Sequence, residues 1–319
     1  MKRIAVLTSG GDAPGMNAAI RAVVRKSIYH GLDAFGIERG YEGLISNDLM
    51  PLSRNSVSGI IGCGGTKIKT ARSEAFKTKG GFARAVANLR DNGIDALVVI
   101  GGDGSMAGAQ KLSEAGVSTM VIPATIDNDM CGTDYTIGFD TAVNTVLDAV
   151  NKIRDTAASH DRVAIVEVMG RRAGHIALMA GLACGAEAIM LPEEPTDMDE
   201  LCRRLNESHA RGKMYNIIVM AEGAGNGFAL ADCIGQRTSY KPHVTVLGYI
   251  QRGGAPSAMD NIMGSRMGEL AVDAILAGNV NRLVASSNGG LITVPYADAF
   301  ASPRRIDMAV YELSRILAI

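Results

Sequence analysis

The sequence is poor in the residues that build aromatic cores. It contains no tryptophan, and aromatic residues make up 4% of its 319 positions. Hydrophobic residues account for 47% of the chain and are mostly aliphatic, together with 16 methionines. Such a composition suits helices packed on a parallel sheet, and a length of about twice a typical domain predicts two domains.

Net charge and cysteine are also sparse. The net charge is −1, so no basic field is available to hold a polyanion, and nucleic acid is not expected as a partner. The cysteines are odd in number, widely scattered and without C-x-x-C spacing: Cys63, Cys131, Cys184, Cys202 and Cys233. This pattern predicts neither a disulfide framework nor a zinc site, and it favours a reducing cytoplasm.

Long hydrophobic runs are missing as well. Lys2 and Arg3 precede only a short apolar run at 4–7, which is too brief for a signal peptide, and no segment reaches 18 uninterrupted apolar residues. We therefore expect a cytoplasmic protein without a membrane partner. The sequence has no Pro-rich or Ser-rich linker and no internal repeat, so domain boundaries are poorly marked.

What the sequence does contain is an alternation of short apolar runs, Gly- or Asp-rich turns and helix-period stretches, which is typical of βαβ units. Strands are predicted at 3–7, 34–37, 96–100, 119–122, 163–168, 188–191, 217–221 and 243–247. Helices are predicted at 16–30, 82–92, 105–115, 141–157, 174–183, 197–210, 265–276 and 305–317. Ligands in open α/β sheets bind beyond the carboxyl ends of the strands, so the loops that follow the strands should carry the chemistry.

Three of these loops are candidates for binding phosphate and metal. Residues 8–17 (TSGGDAPGMN) and 98–105 (VVIGGDGS) form Gly-rich strand-to-helix turns, whose bare amides can hold a phosphate. Asp103 is placed to hold Mg²⁺, although it could equally cap the helix. In residues 123–129 (PATIDND), Asp127 could accept a hydroxyl proton while Asp129 supports metal or phosphate; a structural Asx turn is the alternative.

Two further loops supply arginine. In residues 166–174 (VEVMGRRAG), Arg171 could stabilise a transferring phosphoryl group, whereas Arg172 is equally consistent with a surface charge. In residues 247–254 (LGYIQRGG), Arg252 could bind a sugar phosphate or be an ordinary surface residue. No G-x-G-x-x-G follows the first strand, which argues against a nicotinamide dehydrogenase.

In their types and order these five loops resemble the bacterial ATP-dependent 6-phosphofructokinases, from residue 2 to about residue 285. The resemblance implies an α/β fold of two doubly wound, Rossmann-like domains with mainly parallel sheets and an active site in the cleft between them. It implies a larger ATP-binding domain at 1–138 plus 251–301. The smaller, sugar-phosphate-binding domain would comprise 139–250 plus 302–319, and the protein would be a homotetramer.

The resemblance also implies roles for individual residues. Asp127 would be the base, Asp103 would hold Mg²⁺, and Asp129 would support the metal and phosphate arrangement. The phosphoryl group would be steadied by Thr125, Arg171 and Arg72. The ATP site would be lined by Gly11, Tyr41, Arg72, Ser73, Gly102, Asp103, Gly104, Ser105 and Gly108. The sugar phosphate would be held by Thr125, Asp127, Met169, Gly170, Arg171, Glu222, His243, Tyr249 and Arg252, with Arg162 from a neighbouring subunit.

Some positions depart from related enzymes. Pyrophosphate-dependent relatives usually carry Asp in place of Gly104 and Lys in place of Ala124, and Gly104 leaves space for the α-phosphate of ATP. ATP is therefore the predicted donor, although ATP users usually have glycine in place of Ala124. In the sugar pocket, His243 and Tyr249 replace the usual Arg and His, which predicts sugar-phosphate binding weakened about tenfold unless Arg162 and Arg252 compensate.

The resemblance further implies an effector site between subunits for ADP or phosphoenolpyruvate. The matching residues are Arg21, Arg25, Arg54, Arg154, Gly185, Glu187, Arg211 and Lys213. The residues that differ from those usual in the family are Asn55, Gly59, Met214 and Tyr215. Because the cationic residues are retained, we expect a phosphate-bearing effector still to bind, with fewer contacts to its base and ribose.

We therefore interpret the chain as a glycolytic kinase that uses Mg²⁺ and ATP to phosphorylate the 1-hydroxyl of fructose 6-phosphate, giving fructose 1,6-bisphosphate and ADP. Two alternatives remain open. One is a paralogue that has drifted to another sugar phosphate or to pyrophosphate, and the other is a catalytically weak regulatory subunit. A regulatory subunit has no need of a base beside a metal ligand, so the second alternative is disfavoured by four retained residues: Asp103, Asp127, Asp129 and Arg171.

Overall fold

The computed structural model describes residues 1–213 and 215–318. Its strands are β1 (Arg3–Ser9), β2 (Asp33–Ile37), β3 (Leu49–Leu52), β4 (Ala96–Gly101), β5 (Ser118–Pro123), β6 (Val163–Val168), β7 (Ala188–Met190), β8 (Asn216–Ala221), β9 (His243–Val246), β10 (Arg282–Ser287) and β11 (Gly290–Pro295). Its helices are α1 (Met16–Tyr29), α2 (Gly40–Ser46), α3 (Lys79–Asp91), α4 (Asp103–Glu114), α5 (Phe139–Ser159), α6 (His175–Cys184), α7 (Met198–Ala210), α8 (Gly227–Arg237), α9 (Ala258–Leu276), α10 (Tyr296–Phe300) and α11 (Met308–Leu317).

These elements divide into two compact units. The first unit comprises residues 1–126, 130–141 and 252–304. The second comprises residues 127–129, 142–213, 215–251 and 305–318. The assignment of an ATP-binding and a sugar-phosphate-binding domain to particular segments of the chain stays a prediction.

The first unit is built on a sheet with the strand order β11-β10-β5-β4-β1-β2-β3. Strands β10, β5, β4, β1 and β2 run parallel, and each edge strand, β11 and β3, is antiparallel to its neighbour. Six of the seven residues of β1 and all six of β4 are buried. Because helices cover both faces of a parallel sheet, such strands are continuous apolar runs.

Helices pack on both faces of this sheet. On one face, apolar residues of α2, α3, α4 and α10 form a core with Leu7, Val99 and Val121. On the other face α1 and α9 are packed together, and an ideal Cβ at Gly268 would lie 2.7 Å from Cβ of Ala22. Glycine on α9 therefore permits the close approach of these two helices.

The second unit has a fully parallel sheet with the order β7-β8-β6-β9. Helices α7 and α8 contribute to a core with Ile165 and Ile218. Helix α6 contacts β7 and β8, and an ideal Cβ at Gly181 would lie 2.6 Å from the Ile189 side chain. Strand β9 is an edge strand whose residues are exposed or half-buried. No helix among the described residues combines the length and hydropathy that a membrane span requires.

Each predicted strand and helix is present, with ends that shift by a few residues in most cases. Helix α9 begins at Ala258 rather than at 265, because the Ser257 side chain caps it by accepting a hydrogen bond from the backbone N–H of Asp260. Elements that the sequence analysis missed are β3, β10, β11, α2, α8 and α10. The β10–β11 hairpin had a usable signal, since Asn288 and Gly289 both have positive φ, 49° and 79°, as a two-residue Asn-Gly turn requires.

Candidate active site

The first and second Gly-rich loops lie side by side because β1 pairs with β4, with Ser9 opposite Gly101. The Ser105 hydroxyl, on the first turn of α4, donates a hydrogen bond to the Ser9 carbonyl at 3.0 Å. An ideal Cβ at Gly101 would lie only 2.5 Å from both of these oxygens. Glycine is therefore required where the two predicted phosphate loops meet.

The N-terminus of α4 presents a carboxylate and backbone amides together. Asp103 opens the helix, is partly exposed, and accepts a hydrogen bond through Oδ1 from the Cys131 N–H at 3.2 Å. Gly104 is exposed, with nothing within 4 Å of an ideal Cβ. The first amides of a helix lack intrahelical partners and attract anions, and Mg²⁺ prefers carboxylate oxygens together with phosphates. The donor set at this helix start fits a magnesium-bound nucleotide phosphate.

Tyr41, predicted to line the ATP site, supports this helix from below. Its hydroxyl donates to the Ser105 carbonyl at 2.7 Å, and its ring lies 2.7 Å from an ideal Cβ at Gly108. The ring also stacks on Phe76 at a centroid distance of 4.1 Å. Burial raises the pKa of Tyr41 well above its usual value. Tyr41 is thus a core residue that holds the loop in place.

The neighbouring predicted residues lie nearer the surface. Ser73 donates a hydrogen bond to Glu42 Oε2 at 2.5 Å and accepts one from the backbone N–H of Phe76 at 3.1 Å. Arg72 is exposed. Ser73 therefore fixes the backbone beside Arg72, whose guanidinium extends from an exposed position.

Arg252 lies against the first Gly-rich loop. An ideal Cβ at Gly11 would be 3.1 Å from Nη2 of Arg252. The residue predicted to bind the sugar phosphate and the residue predicted to bind ATP are thus in contact within the first unit. A side chain at position 11 would displace the guanidinium.

In the second unit, the predicted base lies beside an arginine. Asp127 is 3% exposed, and its Oδ2 is 3.6 Å from Nε of Arg171. Burial raises the pKa of Asp129, and a hydrogen bond from its own backbone N–H, followed by the charge of Arg171, partly offsets this shift. Asn128 and Arg171 have φ values of 50° and 54°, in the left-handed region that non-glycine residues seldom adopt. Such strained positions cluster at functional sites.

The backbone that carries Arg171 is held by two polar side chains. Glu222 Oε1 accepts hydrogen bonds from the N–H groups of Gly170 and Arg171, at 3.2 and 2.7 Å. The fully buried Gln251 accepts from the Met169 N–H at 3.2 Å and donates to the Gly248 carbonyl at 3.0 Å. The sequence analysis missed Gln251, since no local pattern distinguishes a buried glutamine from an exposed one before a turn.

Two predicted sugar-phosphate residues lie at the opposite end of the same sheet. Arg162 immediately precedes β6, and His243 is the exposed first residue of β9, paired with Ala164. Arg171 follows the carboxyl end of β6, and a strand of this length spans roughly 20 Å. Tyr249 is 80% exposed. Arg162 and His243 are therefore close to each other and distant from Arg171 within the second unit.

The predicted effector residues are divided between the units. Arg21, Arg25 and Arg54 lie in the first unit, where Arg25 and Arg54 are exposed. The others, Arg154, Gly185, Glu187, Arg211 and Lys213, lie in the second. The departures Asn55 and Gly59 are exposed, Tyr215 is partly buried, and Met214 lies outside the described residues.

Three of the second-unit effector residues line a charged cavity. Lys213 Nζ is 2.5 Å from Glu187 Oε1, and Glu187 Oε2 accepts from the Ile217 N–H. Arg154 donates to the Cys184 carbonyl. A cavity of about 550 Å³ is lined in part by Glu187, Arg211 and Lys213.

The family profile described as Phosphofructokinase matches residues 3–275. The chain belongs to the phosphofructokinase family. The curated relatives that it matches include the ATP-dependent 6-phosphofructokinases of Brevibacillus brevis, at 53% identity over 319 residues, and Bacillus subtilis, at 52%. Both alignments cover 100% of this chain and of the relative.

Solved phosphofructokinase structures share the fold. The Saccharomyces cerevisiae enzyme matches with a TM-score of 0.88 and 36% identity, covering all of this chain and 48% of the yeast chain. A pyrophosphate-dependent phosphofructokinase from Marinobacter aquaeolei matches with a TM-score of 0.85 over 97% of this chain and 86% of that one, at 23% identity, which shows the fold alone. The predicted α/β fold with mainly parallel sheets is confirmed.

Proposed function

We propose that this phosphofructokinase transfers the γ-phosphoryl group of ATP to the 1-hydroxyl of fructose 6-phosphate, giving fructose 1,6-bisphosphate and ADP. The observation that carries the proposal is the buried Asp127 carboxylate beside the Arg171 guanidinium, 3.6 Å apart. It occurs in a chain whose full-length relatives at about 53% identity are named ATP-dependent 6-phosphofructokinases.

Asp127 acts as the general base in this mechanism. It accepts the proton of the attacking 1-hydroxyl as the new oxygen–phosphorus bond forms and the bond from the γ-phosphorus to the oxygen that remains on ADP breaks, as the catalytic aspartates of other kinases do. Its low exposure keeps competing water away from the carboxylate. Arg171 stabilises the negative charge on the transferring group, and the bonds from Glu222 to its backbone keep it in position.

The first unit supplies the donor side. The amides of 102–105 hold the ATP phosphates at the start of α4, while Thr125 and Arg72 steady the γ-phosphoryl group. Asp103 would hold Mg²⁺, which neutralises charge on the β- and γ-phosphates when bound. No atom lies within 4 Å of an ideal Cβ at Gly104. This position therefore leaves room for the α-phosphate of ATP, a group that pyrophosphate lacks.

On the acceptor side, Met169, Gly170, Arg171, Tyr249 and Arg252 contact the sugar phosphate. Glu222 Oε1 is engaged by two amides, so we assign the sugar contact of this residue to Oε2. Because Arg162 and His243 lie at the other end of β6, we assign both to the sugar site of a neighbouring subunit in a homotetramer. This arrangement accords with a cytoplasmic enzyme that works as an assembly.

The same assembly would create the effector site. Residues of the second-unit cavity from one subunit would join Arg21, Arg25 and Arg54 of another to bind ADP or phosphoenolpyruvate. Calorimetric detection of ADP or phosphoenolpyruvate binding at millimolar concentration would support this assignment. Absence of heat with both ligands contradicts it.

A coupled assay for ADP release tests the proposed function. With fructose 6-phosphate as acceptor, we expect turnover with ATP and little or none with pyrophosphate. Turnover with pyrophosphate but not with ATP would instead support the drifted paralogue. No turnover with either donor would support the regulatory subunit.

A further inference from the structure

A buried carboxylate lies at the start of α9, outside the residues assigned to substrates. Asp260 is 0% exposed. Its Oδ1 accepts hydrogen bonds from the Tyr135 hydroxyl and the Gly138 N–H, both at 2.6 Å. Its Oδ2 accepts from the N–H and the hydroxyl of Thr141, at 2.8 and 2.5 Å. A buried charge is tolerated only when it is fully hydrogen-bonded, so this carboxylate strongly constrains its partners.

All three partner residues belong to one segment, 135–141, and this segment in turn holds the loop after β5. The Ile137 N–H donates to the Pro123 carbonyl at 3.0 Å. The Thr136 hydroxyl donates to the Thr125 carbonyl at 2.6 Å. Thr125 is therefore seated on a segment whose own position is fixed by Asp260.

The segment also touches the first Gly-rich loop. An ideal Cβ at Gly138, where φ is +104°, would lie 2.6 Å from Cβ of Ala13 and 3.4 Å from Cγ2 of Ile126. At Gly15, where φ is +100°, an ideal Cβ would lie 2.7 Å from Ile137 and 3.1 Å from Asp260. With no space on either side, a shift of the segment must move both loops.

We propose that Asp260 is a positioning residue for phosphoryl transfer. Its carboxylate fixes the segment 135–141, and the hydrogen bond from the Thr136 hydroxyl to the Thr125 carbonyl holds Thr125 in place. Thr125 is two residues before Asp127 in the chain. The inference rests on the proposed function, in which Thr125 steadies the γ-phosphoryl group. Displacement of a catalytic loop by about 1 Å can cost ~100-fold in rate, so the constraint matters for chemistry as well as for stability.

The test begins with Asp260→Asn, which keeps the shape but replaces one acceptor oxygen by an amide that faces N–H or O–H donors. We expect kcat with ATP and fructose 6-phosphate to fall at least about tenfold, with both KM values within about threefold. Thr119→Val is the matched control. Thr119 is 0% exposed on β5 and its hydroxyl is 2.8 Å from that of Tyr296, so its loss should lower Tm and leave kcat unchanged.

A double-mutant cycle then separates positioning from stability. If Asp260 acts through Thr136, the effects of Asp260→Asn and Thr136→Val on kcat should be strongly non-additive, whereas Asp260→Asn and Thr119→Val should be additive. Additive effects in the first pair, or an unchanged kcat in Asp260→Asn, overturn the proposal. Should Asp260→Asn fail to fold, Tyr135→Phe removes a single donor, and the same cycle with Thr136→Val applies.

Hydrogen exchange gives a readout that does not depend on activity. In Asp260→Asn, amides of peptides covering 123–127 should exchange faster, and those covering 163–171 should be unchanged. Unchanged exchange at 123–127 refutes the hold of Asp260 on this loop whatever the enzyme's substrates are. If the wild-type protein lacks kinase activity while Asp260→Asn still shows faster exchange at 123–127, the proposed function is refuted and the structural link between Asp260 and this loop stands.

Discussion

The two ends of β6 differ in how their arginines are held. At the carboxyl end, Arg171 lies beside the buried Asp127, and its loop is fixed by Glu222 and Gln251. At the amino end, Arg162 adjoins His243 on an edge strand that is largely exposed. Arg171 is itself 52% exposed and Arg162 is half-buried, so the two ends differ in how their surroundings are held and not in how far the arginines are buried. A loop held in advance by buried polar groups can stabilise a transition state, whereas charged groups beside an exposed edge strand mainly attract a ligand. We therefore expect the first set to control kcat and the second to control KM.

The largest effect should come from the carboxyl end of β6, where the buried Asp127 lies beside Arg171. Asp127→Ser removes the base, and general-base removal costs ~10²–10⁴-fold in kcat. Binding of fructose 6-phosphate, measured by calorimetry, should largely survive, because the substitution leaves the cationic side chains of the site in place. Asp148→Ser, an exposed change on α5, serves as the control. If kcat of Asp127→Ser stays within about threefold of wild type, Asp127 is not the general base.

A substitution at Gly104 tests whether ATP binds at the start of α4. Gly104→Asp places a carboxylate near the expected α-phosphate, and we expect kcat/KM for ATP to fall about 10–100-fold. The fold should tolerate the change, because nothing lies within 4 Å of an ideal Cβ and an acidic residue suits a helix N-terminus. Gly80→Asp, at an equally open position in the first turn of α3, should leave ATP kinetics unchanged. Equal kinetics for the two variants would show that ATP does not approach Gly104.

The amino end of β6 should respond to a permanent charge. Arginine is always protonated in proteins and can bind a phosphate through two parallel hydrogen bonds, so a phosphate at position 243 should bind more tightly to Arg than to His. We expect His243→Arg to lower KM for fructose 6-phosphate severalfold. His30→Arg, an exposed change on the first unit, should leave this KM as it is. An unchanged KM in His243→Arg would place this residue outside the sugar site.

The smallest effect concerns the stability cost of placing Asp129 in a partly buried position two residues after the proposed base. Burial raises the pKa of Asp129, so folding favours its protonated form, and the stability this provides is lost as pH rises through the folded-state pKa. At pH 7 Asp129→Asn should therefore raise Tm by about 1–3 °C while lowering kcat, and the gain in Tm should shrink towards pH 4. Asp148→Asn, at an exposed position, should show no such pH dependence. A lower Tm for Asp129→Asn at pH 7 would mean that the backbone hydrogen bond and the attraction of Arg171 together outweigh burial.

Most of the fold could be predicted because strand and helix periods are local signals. Apart from β10, the parallel strands of both sheets were found in this way, and the order of the loops that follow them led to the family. Strand β3 and the short helices α2 and α10 were missed, since each is only four to seven residues long and its stability comes from packing on the sheet.

Within the candidate site, the residue types could be predicted but their supports could not. The sequence signal was a charged residue in a loop that directly follows a predicted strand, and it identified Asp103, Asp127 and Arg171. The contributions of Gln251 and Asp260 depend on contacts with residues that are 82 to 125 positions away in the chain. Such long-range hydrogen bonds leave no local pattern, so only the folded structure reveals them.

Steady-state kinetics of two matched variants test the central claim most directly. Arg171→Lys and Arg162→Lys make the same chemical change at the two ends of one strand, replacing a planar guanidinium by a point charge. We predict that Arg171→Lys lowers kcat about tenfold or more with a small change in KM for fructose 6-phosphate. For Arg162→Lys we predict a KM raised up to about tenfold with kcat within about twofold. A kcat that falls equally in both variants would contradict the account.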